Sequence, residues 1–477
     1  MTGFRTVPGW RFIVFPGVAI LLGWGLRGFI GGGPYGAMIP GAMMALCLSL
    51  LLGHGPRFAA VLAAFAAAGI GFGGEVTYGQ TIGFLREADT RGWGLLGLAL
   101  KGGVWGLLGG AALGAGLDQR RYARKDLAMA FIVGMAAFYI GWQLINAPKL
   151  IYFSDRLDSP REESWAGLLF AALGMLGWLW AKRDRTRSFM PGHFALWGLA
   201  GGWLGFGGGA LWMAYGPMLP VPQRWFGWWK MMEFSFGLLL GVFWGGCALR
   251  HRRALEAEAA ETRGEGNALE RSVWVEAALA AGLLVAVYGV VTWLYGALET
   301  AAGAHPNQHD GLLELARMAD NFVVVGGLLA VLALYRPALA WQIAVTATFC
   351  HVMIDFVDDL PTENSLSLPV PPLAALLALS MAAMIAGVAA LSRRGSTVRP
   401  MFLLLTWACM AVALPKPFVN PAYLSPDPAA LARAGGWLGL VVEKMPGQLV
   451  VHAIFLVSAV AVTALSKDNG QWTMDNG

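Results

Sequence analysis

The sequence predicts an all-α fold in the form of a polytopic bundle of transmembrane helices. Of its 477 residues, 57% are hydrophobic and only 13% are charged, and the mean hydropathy is +0.57. Apolar runs of about 17 to 25 residues, the length that a helix needs to cross a bilayer, recur along the whole chain. This composition excludes a soluble protein of the same size.

The apolar runs divide the chain into about fourteen predicted spans, whose orientation follows from the basic residues. With the N-terminus in the cytoplasm, 21 of the 34 Lys and Arg residues lie in cytoplasmic segments and 12 in outer segments, as the positive-inside rule requires. Removing one span would invert every later loop, so we expect an even number of spans with both termini cytoplasmic. The predicted spans are residues 11–30, 37–53, 57–74, 93–117, 127–147, 165–181, 192–214, 230–249, 273–298, 317–335, 338–356, 369–391, 400–415 and 446–465.

The longest cytoplasmic segment, residues 250–271, separates two membrane parts. It contains Ala-Leu-Glu-Ala-Glu-Ala-Ala-Glu and then Gly-Glu-Gly-Asn, which predicts a short solvated helix followed by a flexible link. No segment is long enough for a soluble catalytic domain. We therefore expect an eight-span part (1–250), a linker (251–272), a six-span part (273–466) and a cytoplasmic tail (467–477).

The first eight spans contain a glycine-rich repeat. Gly71-Phe-Gly-Gly74 recurs as Gly205-Phe-Gly-Gly208, and the helix after each copy has glycines at every fourth position, at 102, 106, 110 and 114 or at 237, 241 and 245. A looser third copy, residues 24–36, ends the first span. The pattern predicts tandem helical hairpins whose glycine faces pack closely in lipid and whose helices are interrupted at each copy.

Ionisable residues beside these glycines form the main candidate site. They are costly inside a membrane and usually face a cavity or a partner. Aligning the glycine faces places Lys101 and Glu233 at equivalent positions, where they would form a static ion pair between helices. In the functional interpretation, Arg27 or Lys101 binds an anionic group and Glu75 exchanges a proton, because burial favours the neutral carboxyl group. The five residues are Arg27, Glu75, Lys101, Lys230 and Glu233.

Further polar residues complete the predicted binding site. Tyr78 and Gln80 follow the first copy of the repeat, while Gln143 and Asn146 are three residues apart and are expected to share one helix face. The tryptophan-rich run at 225–229 is typical of the aromatic belt at a membrane interface. A stacking platform for a ligand is the alternative for that run.

Three carboxylates are candidates for proton coupling, namely Glu75, Glu233 and Asp355. Asp355 lies four residues after His351 on one face of a predicted helix, but a single His with nearby carboxylates is a weak pattern for a metal site. Phosphate-binding glycine loops, serine nucleophile elbows and the His-Glu-x-x-His motif are absent. We therefore predict no metal, no cofactor and no catalytic residue.

Three short segments resemble those of a family of bacterial multi-spanning membrane proteins of unassigned function. They are the Trp-Gly-x-Arg-Gly segment at 24–28, Gly-Ala-Met-Ile at 36–39 and Tyr-Gly-Gln-Thr at 78–81. The resemblance covers at most the first quarter of the chain and implies no mechanism. We expect a multi-pass protein of a bacterial cytoplasmic (inner) membrane.

These features favour a secondary transporter or permease for a small polar or anionic solute, with or without proton coupling. The alternative is an integral membrane enzyme, a transferase or polymerase that acts on a lipid-linked or periplasmic glycan at the outer leaflet. A site near the membrane midplane would favour the transporter, and charges clustered toward the outer face would favour the enzyme. The expected partners are membrane lipids and the solute; nucleic acid is not expected, and a homo-oligomer remains open.

Overall fold

The structure is a computed structural model that describes residues 7–154, 163–266, 271–304, 326–362, 370–394, 397–416 and 432–467. These residues form helices and turns, with no β-strand among them. The first nine residues of the predicted tenth span, and all but the first residue of the predicted tail, lie outside the described ranges. The all-α prediction is confirmed for the part of the chain that the structure describes.

The described residues of the first part of the chain form nine α-helices. Each of the first eight predicted spans coincides with one of them to within a few residues, and a short helix, α4, lies between the third and fourth spans. The helices are α1 (Arg11–Ile30), α2 (Gly33–Leu52), α3 (Pro56–Gly73), α4 (Gly79–Gly83), α5 (Arg91–Leu117), α6 (Arg124–Gly141), α7 (Trp165–Lys182), α8 (Met190–Tyr215) and α9 (Trp228–Arg250).

The second part contributes eight further helices to the described residues. A π-helical turn, Gln342–Ala347, leads directly into the fourth of them. They are α10 (Arg252–Thr262), α11 (Val273–Ala304), α12 (Gly327–Tyr335), α13 (Thr348–Thr362), α14 (Val370–Ser392), α15 (Val398–Ala413), α16 (Trp437–Lys444) and α17 (Pro446–Leu465).

Eleven helical segments within the described ranges are long and apolar enough to cross a membrane. Large apolar side chains cover much of the outer surface, including Trp274, Val285 and Trp293, each more than two-thirds exposed. Such a surface suits contact with lipid tails. The chain is therefore a multi-pass helical membrane protein.

Six helices of the first part form a closed ring, in the order α1, α2, α3, α5, α8 and α9, and each packs against the next. Four fully buried aromatic residues from different ring helices meet inside it, and we call them the aromatic plug. Trp24 lies 4.8 Å from Trp105 and 4.3 Å from Phe236, and Phe206 lies 4.7 Å from Phe236, measured between ring centroids. Helices α12, α13, α15 and α17 of the second part pack on α1, α2 and α3.

The glycine series of α5 and α9 lie at helix contacts, as predicted. A Cβ at Gly106 would overlap the carbonyl group of Gly198 on α8, and one at Gly241 would overlap that of Pro16 on α1. Side chains of any size would force these helix pairs apart. The glycines therefore set the closest contacts within the ring.

One predicted helix interruption is wrong. Helix α8 runs unbroken through residues 205–208 and ends only at Tyr215. Gly205 and Gly209 instead lie against the backbone of α9, where a Cβ would approach the carbonyl oxygens of Phe236 and Met232 to 3.0 and 2.8 Å. Glycines in this copy serve close packing, whereas the other two copies do interrupt their helices.

The linker helix is present at Arg252–Thr262 but is solvated on one face only. Leu255, Glu258 and Ala259 are buried, and the backbone N–H of Gly55 donates to the Thr262 hydroxyl at 2.9 Å. Leu255 and Ala259 are four residues apart and form an apolar stripe on one side of the helix. The many glutamates of this segment had instead suggested a helix solvated on all sides. Helix α10 is therefore docked on the α2–α3 end of the bundle.

Candidate functional site

A cavity of about 720 Å³ lies where α1 and α3 end and α9 begins. Two chain interruptions supply most of its lining: residues 27–34, from the end of α1 to the start of α2, and residues 74–80, from the end of α3 to the start of α4. Trp229 and Glu233 of α9 complete it. Gly32 and Gly33 are exposed. The cavity is therefore at the end of the ring, opposite the end on which α10 docks.

The local sequence explains why both helices stop here. Three consecutive glycines at 31–33 follow α1, and Gly33 adopts a φ of +41°, a left-handed conformation that favours glycine. Pro34 then begins α2 at a position where a helix does not need a backbone N–H. At the two interruptions, backbone N–H and C=O groups lie beside the cavity and are not part of a regular helical hydrogen-bond pattern.

Arg27 is a buried cation in the cavity lining, with only 4% of its surface exposed. Its Nη1 donates to the Tyr78 hydroxyl and its Nη2 to the Gly33 carbonyl at 3.2 Å. The guanidinium also lies 5.3 Å from the ring centroid of Tyr78 and 5.1 Å from that of Trp105. Its Nε has no hydrogen-bond partner, and no carboxylate of the described chain is ion-paired with it.

Glu233 is a buried carboxylate in the same lining, but its charge is compensated. Lys230 donates to Oε2 at 2.6 Å, and the Trp229 indole donates to Oε1 at 3.0 Å. The Tyr78 hydroxyl donates to Oε1 at 3.4 Å and accepts from Arg27. Tyr78 therefore links an ion-paired carboxylate to a guanidinium that has no ion pair of its own among the described residues.

Five of the residues predicted for the site line this one cavity. Glu75 and Gln80 are half-buried in its wall, and the Ser164 hydroxyl donates to the main-chain carbonyl of Glu75 at 2.6 Å. Lys230 joins the group through its bond to Glu233. The five lining residues are Arg27, Glu75, Tyr78, Gln80 and Glu233.

The predicted pairing of Lys101 with Glu233 is wrong, because Lys101 is paired with Glu163. The two charged groups are 2.5 Å apart and both side chains are fully buried. Lys101 also donates to the Thr81 hydroxyl at 2.8 Å and to the Thr77 carbonyl, so all three ammonium hydrogens are engaged. We call Lys101 and Glu163 the anchor pair.

The loop before α7 makes the anchor pair possible by folding into the bundle. Glu163 accepts from the backbone N–H of Phe153 at 3.0 Å and from the Ser154 hydroxyl at 2.8 Å. Phe153 stacks on Trp93 with ring centroids 4.6 Å apart. Glu163 was not predicted as a site residue. It could have been noticed as an acidic residue that comes just before an apolar span, on the same side of the predicted membrane as Lys101.

Gln143 and Asn146 do not line the cavity and do not share a helix face. Both lie in a π-helical turn, Trp142–Asn146, whose wider turn separates residues three apart. Gln143 is exposed and donates to the Tyr139 hydroxyl at 3.1 Å. The Asn146 carbonyl oxygen accepts the first N–H groups of α7, those of Ala166 and Gly167, at 3.1 and 3.0 Å.

Asp355 lies on α13, outside the cavity lining. Its neighbour one turn earlier, His351, is buried and stacks on Tyr35 with ring centroids 4.4 Å apart. Tyr35 follows the lining residue Pro34, so α13 packs behind the α1–α2 interruption. Among the described residues, no group of three His, Cys, Asp or Glu side chains is placed to hold a metal ion.

The tryptophans of the outer run have different environments. Trp228 stands in a stacked column between Phe226 and Trp212, with centroid distances of 5.1 and 6.0 Å, and it donates to Gln223. This column suits an interfacial belt. Trp229 instead lines the cavity and is 38% exposed.

Comparison with protein-family models, with curated proteins and with solved structures finds no match to this chain. The geometry of the cavity is therefore the basis for assigning a function.

Proposed function

We propose that the protein is a secondary transporter, or permease, for a small polar or anionic solute. One observation carries the proposal: a buried Arg27, which has no ion pair among the described residues, lines a cavity of about 720 Å³ at the interruptions that follow α1 and α3. In secondary transporters, interrupted helices present free backbone groups and helix ends to solutes and ions. A pocket of this volume is large enough for a small organic molecule.

The aromatic plug supports a cavity that opens at one end of the ring and is closed toward the end on which α10 docks. Trp105 lies directly beside Arg27, and its indole N–H donates to the Ile70 carbonyl at 2.8 Å. Trp24, Phe206 and Phe236 fill the ring around it. Release of a solute toward the α10 end would require these side chains to separate, as alternating access demands.

Glu75 is the proposed proton-coupling residue. When all groups are ionised, the three cations at the cavity, Arg27, Lys230 and Lys416, exceed its two carboxylates by one charge. Protonation of Glu75 adds one more positive charge. Proton binding and anion binding then strengthen each other, because coupling between two ligands is reciprocal.

We also propose the finer membrane arrangement. The distribution of Lys and Arg supports about fourteen spans, cytoplasmic termini in a bacterial inner membrane and a cavity that opens outward. The equivalent packing of the α5 glycines on α8 and the α9 glycines on α1 supports a shared origin of these hairpins. Residues 1–250 would then form the solute-binding part and residues 273–466 a supporting part.

The transporter is tested in proteoliposomes by uptake of radiolabelled acetate, benzoate, glucose or choline, because co-transport of a proton with a monovalent anion moves no net charge and gives no current. The wild-type protein should move a solute and respond to an imposed pH gradient. Glu75→Gln should remove the response to pH, whereas Glu87→Gln, an exposed carboxylate at the same end, should retain it. Coupled uptake by Glu75→Gln would contradict proton coupling, and no protein-dependent uptake of any of the four solutes would contradict the transporter.

The position of the cavity favours a second candidate, an enzyme at the outer leaflet. Glu233 is five residues into α9, about 7.5 Å along the helix, whereas the midplane lies about 15 Å from the edge of the hydrocarbon core. Glu75 would then act as general base and Arg27 would hold a phosphate. Accumulated lipid-linked glycans in a deletion strain would support the enzyme, and a normal lipid and glycan profile would contradict it.

A further inference from the structure

The charge balance of the cavity points to the class of solute. Arg27 has only neutral partners among the described residues, whereas Lys230 compensates Glu233 at 2.6 Å. A buried charge without a counter-ion is strongly unfavourable. Building on the cavity of the proposed function, we infer that its solute is an organic monocarboxylate whose carboxylate group binds Arg27.

The guanidinium of Arg27 has one N–H group suited to a carboxylate. Nη2 has two N–H groups and donates to the Gly33 carbonyl at 3.2 Å, which leaves the other for a charge-assisted bond to a carboxylate oxygen. Nε has no partner and is itself buried. The opposite side of the guanidinium, Nη1, is held by Tyr78.

The N-terminal end of α2 adds a second attraction for a negative charge. Gly32, Gly33 and Pro34 line the cavity at the start of this 20-residue helix. The first N–H groups of a helix and its dipole favour an anion at this end. Arg27 donates to the carbonyl of Gly33, so the cation and the positive end of the helix meet at the same place.

The charge count selects a monovalent anion. Three cations, Arg27, Lys230 and Lys416, act at the cavity, Lys416 through its effect on Lys230. They face two carboxylates, Glu75 and Glu233, so the ionised groups leave one positive charge to be neutralised. A phosphate dianion would overcompensate this charge, and a cation would add to it. The volume exceeds that of a bare carboxylate, and Trp229, 38% exposed in the lining, offers an apolar surface for the rest of the molecule.

The inference is tested by binding to the purified full-length protein, without a membrane gradient. Benzoate, its neutral isostere benzamide, the cation benzylamine and inorganic phosphate are compared by isothermal titration calorimetry and by intrinsic-fluorescence unfolding. Benzoate should bind and raise the unfolding temperature, whereas the other three should not. Benzamide binding as tightly as benzoate, or phosphate or benzylamine binding in its place, would overturn the inference.

Variants sharpen the test. Arg27→Gln should weaken benzoate binding by about 10- to 100-fold, the loss expected for a charge-assisted hydrogen bond. Arg86→Gln, which removes an exposed arginine at the same end, should bind benzoate as wild type does. Unchanged binding in Arg27→Gln would overturn the inference, and the wild-type comparison of benzoate with benzamide stands even if this variant does not fold.

Failure of the inference and failure of the proposed function give different results. Benzoate binding without uptake of any solute would contradict the transporter and leave the carboxylate site in place. Uptake of glucose or choline by protein that does not bind benzoate would contradict the carboxylate site and leave the transporter in place.

Discussion

Arg27 and Lys101 are both buried cations, and they hold neighbouring residues of one chain segment. Arg27 donates to the hydroxyl group of Tyr78, and Lys101 donates to the carbonyl of Thr77. Their surroundings differ. Lys101 has a carboxylate partner at 2.5 Å and uses all its hydrogens, whereas Arg27 has neutral partners and one unbonded nitrogen.

The difference separates a structural charge from a functional one. An ion pair saturated within the protein fixes the segment that carries it but has no group left for a ligand. A buried cation without a counter-ion has an unfavourable electrostatic energy that an incoming anion can relieve. The anchor pair therefore positions the cavity wall, and Arg27 provides the binding charge.

The largest effect on stability is expected from Lys101→Met. The substitution leaves the Glu163 carboxylate buried without its cation, which should lower the free energy of unfolding by about 3–5 kcal/mol. Unfolding in a mixed-micelle titration measures this change. The double variant Lys101→Met/Glu163→Gln should recover most of the stability, and equal unfolding of the single and double variants would show that the ion pair is not the cause.

A smaller effect is expected from Gly28→Ala. A Cβ here would overlap the carboxylate of Glu233, which must shift and weaken its bonds to Lys230 and Tyr78. We expect a loss of about 1–3 kcal/mol in unfolding free energy together with weaker benzoate binding. Gly83→Ala, where a Cβ meets nothing within 4 Å, is the matched control. Equal unfolding free energies and equal benzoate binding in the two variants would show that the Glu233 carboxylate does not lie against Gly28.

A third charge cluster, outside the spans, should respond to pH. Arg121 is shared by Asp118 at 3.1 Å and Glu258 of α10 at 2.9 Å. Burial raises the pKa of Asp118 to about 7 and raises the pKa of Glu258 above its usual value. The docked state therefore binds protons that the undocked state releases.

The stability of α10 docking should be greatest in acid, fall as the pH rises from about 4 to about 7, and level off above that. Within this window each pH unit corresponds to about 1.4 kcal/mol for one carboxyl group. Hydrogen exchange in α10 at pH 6 and pH 8, corrected for intrinsic rates, measures the change. Asp118→Asn should reduce the pH dependence, and faster exchange at pH 6 would reverse the predicted sign.

The smallest effect on stability is expected from Arg27→Gln in the absence of ligand. Removing an uncompensated buried charge should change the unfolding free energy by about 1 kcal/mol or less, in the stabilising direction. The same mixed-micelle titration compares it with Lys101→Met. A loss as large as that of Lys101→Met would show that Arg27 has a structural counter-ion.

The sequence was sufficient for the first eight spans and for the ionisable residues of the cavity lining. Hydropathy located the first eight spans, because a helix in lipid must be apolar along its whole length. Arg27, Glu75 and Glu233 stood out because ionisable residues are rare in such segments. The repeated glycine pattern was consistent with their convergence on one cavity, but only the structure showed that they meet there.

The failed predictions depended on contacts that hydropathy cannot detect. The partner of Lys101 comes from a loop that folds back into the bundle, so the pair is distant in sequence. The glycines at 205–208 have the same local sequence as those at 71–74, yet they pack against α9. Gln143 and Asn146 were separated by a π-helical turn that their spacing did not reveal.

The most direct test is the unfolding of wild type and Arg27→Gln, measured side by side with and without benzoate. Benzoate should raise the unfolding temperature of wild type and leave that of Arg27→Gln unchanged, while ligand-free Arg27→Gln should be at least as stable as wild type. A ligand-free Arg27→Gln that is strongly destabilised, or that benzoate stabilises as much as wild type, would contradict the assignment of Arg27 as the binding charge.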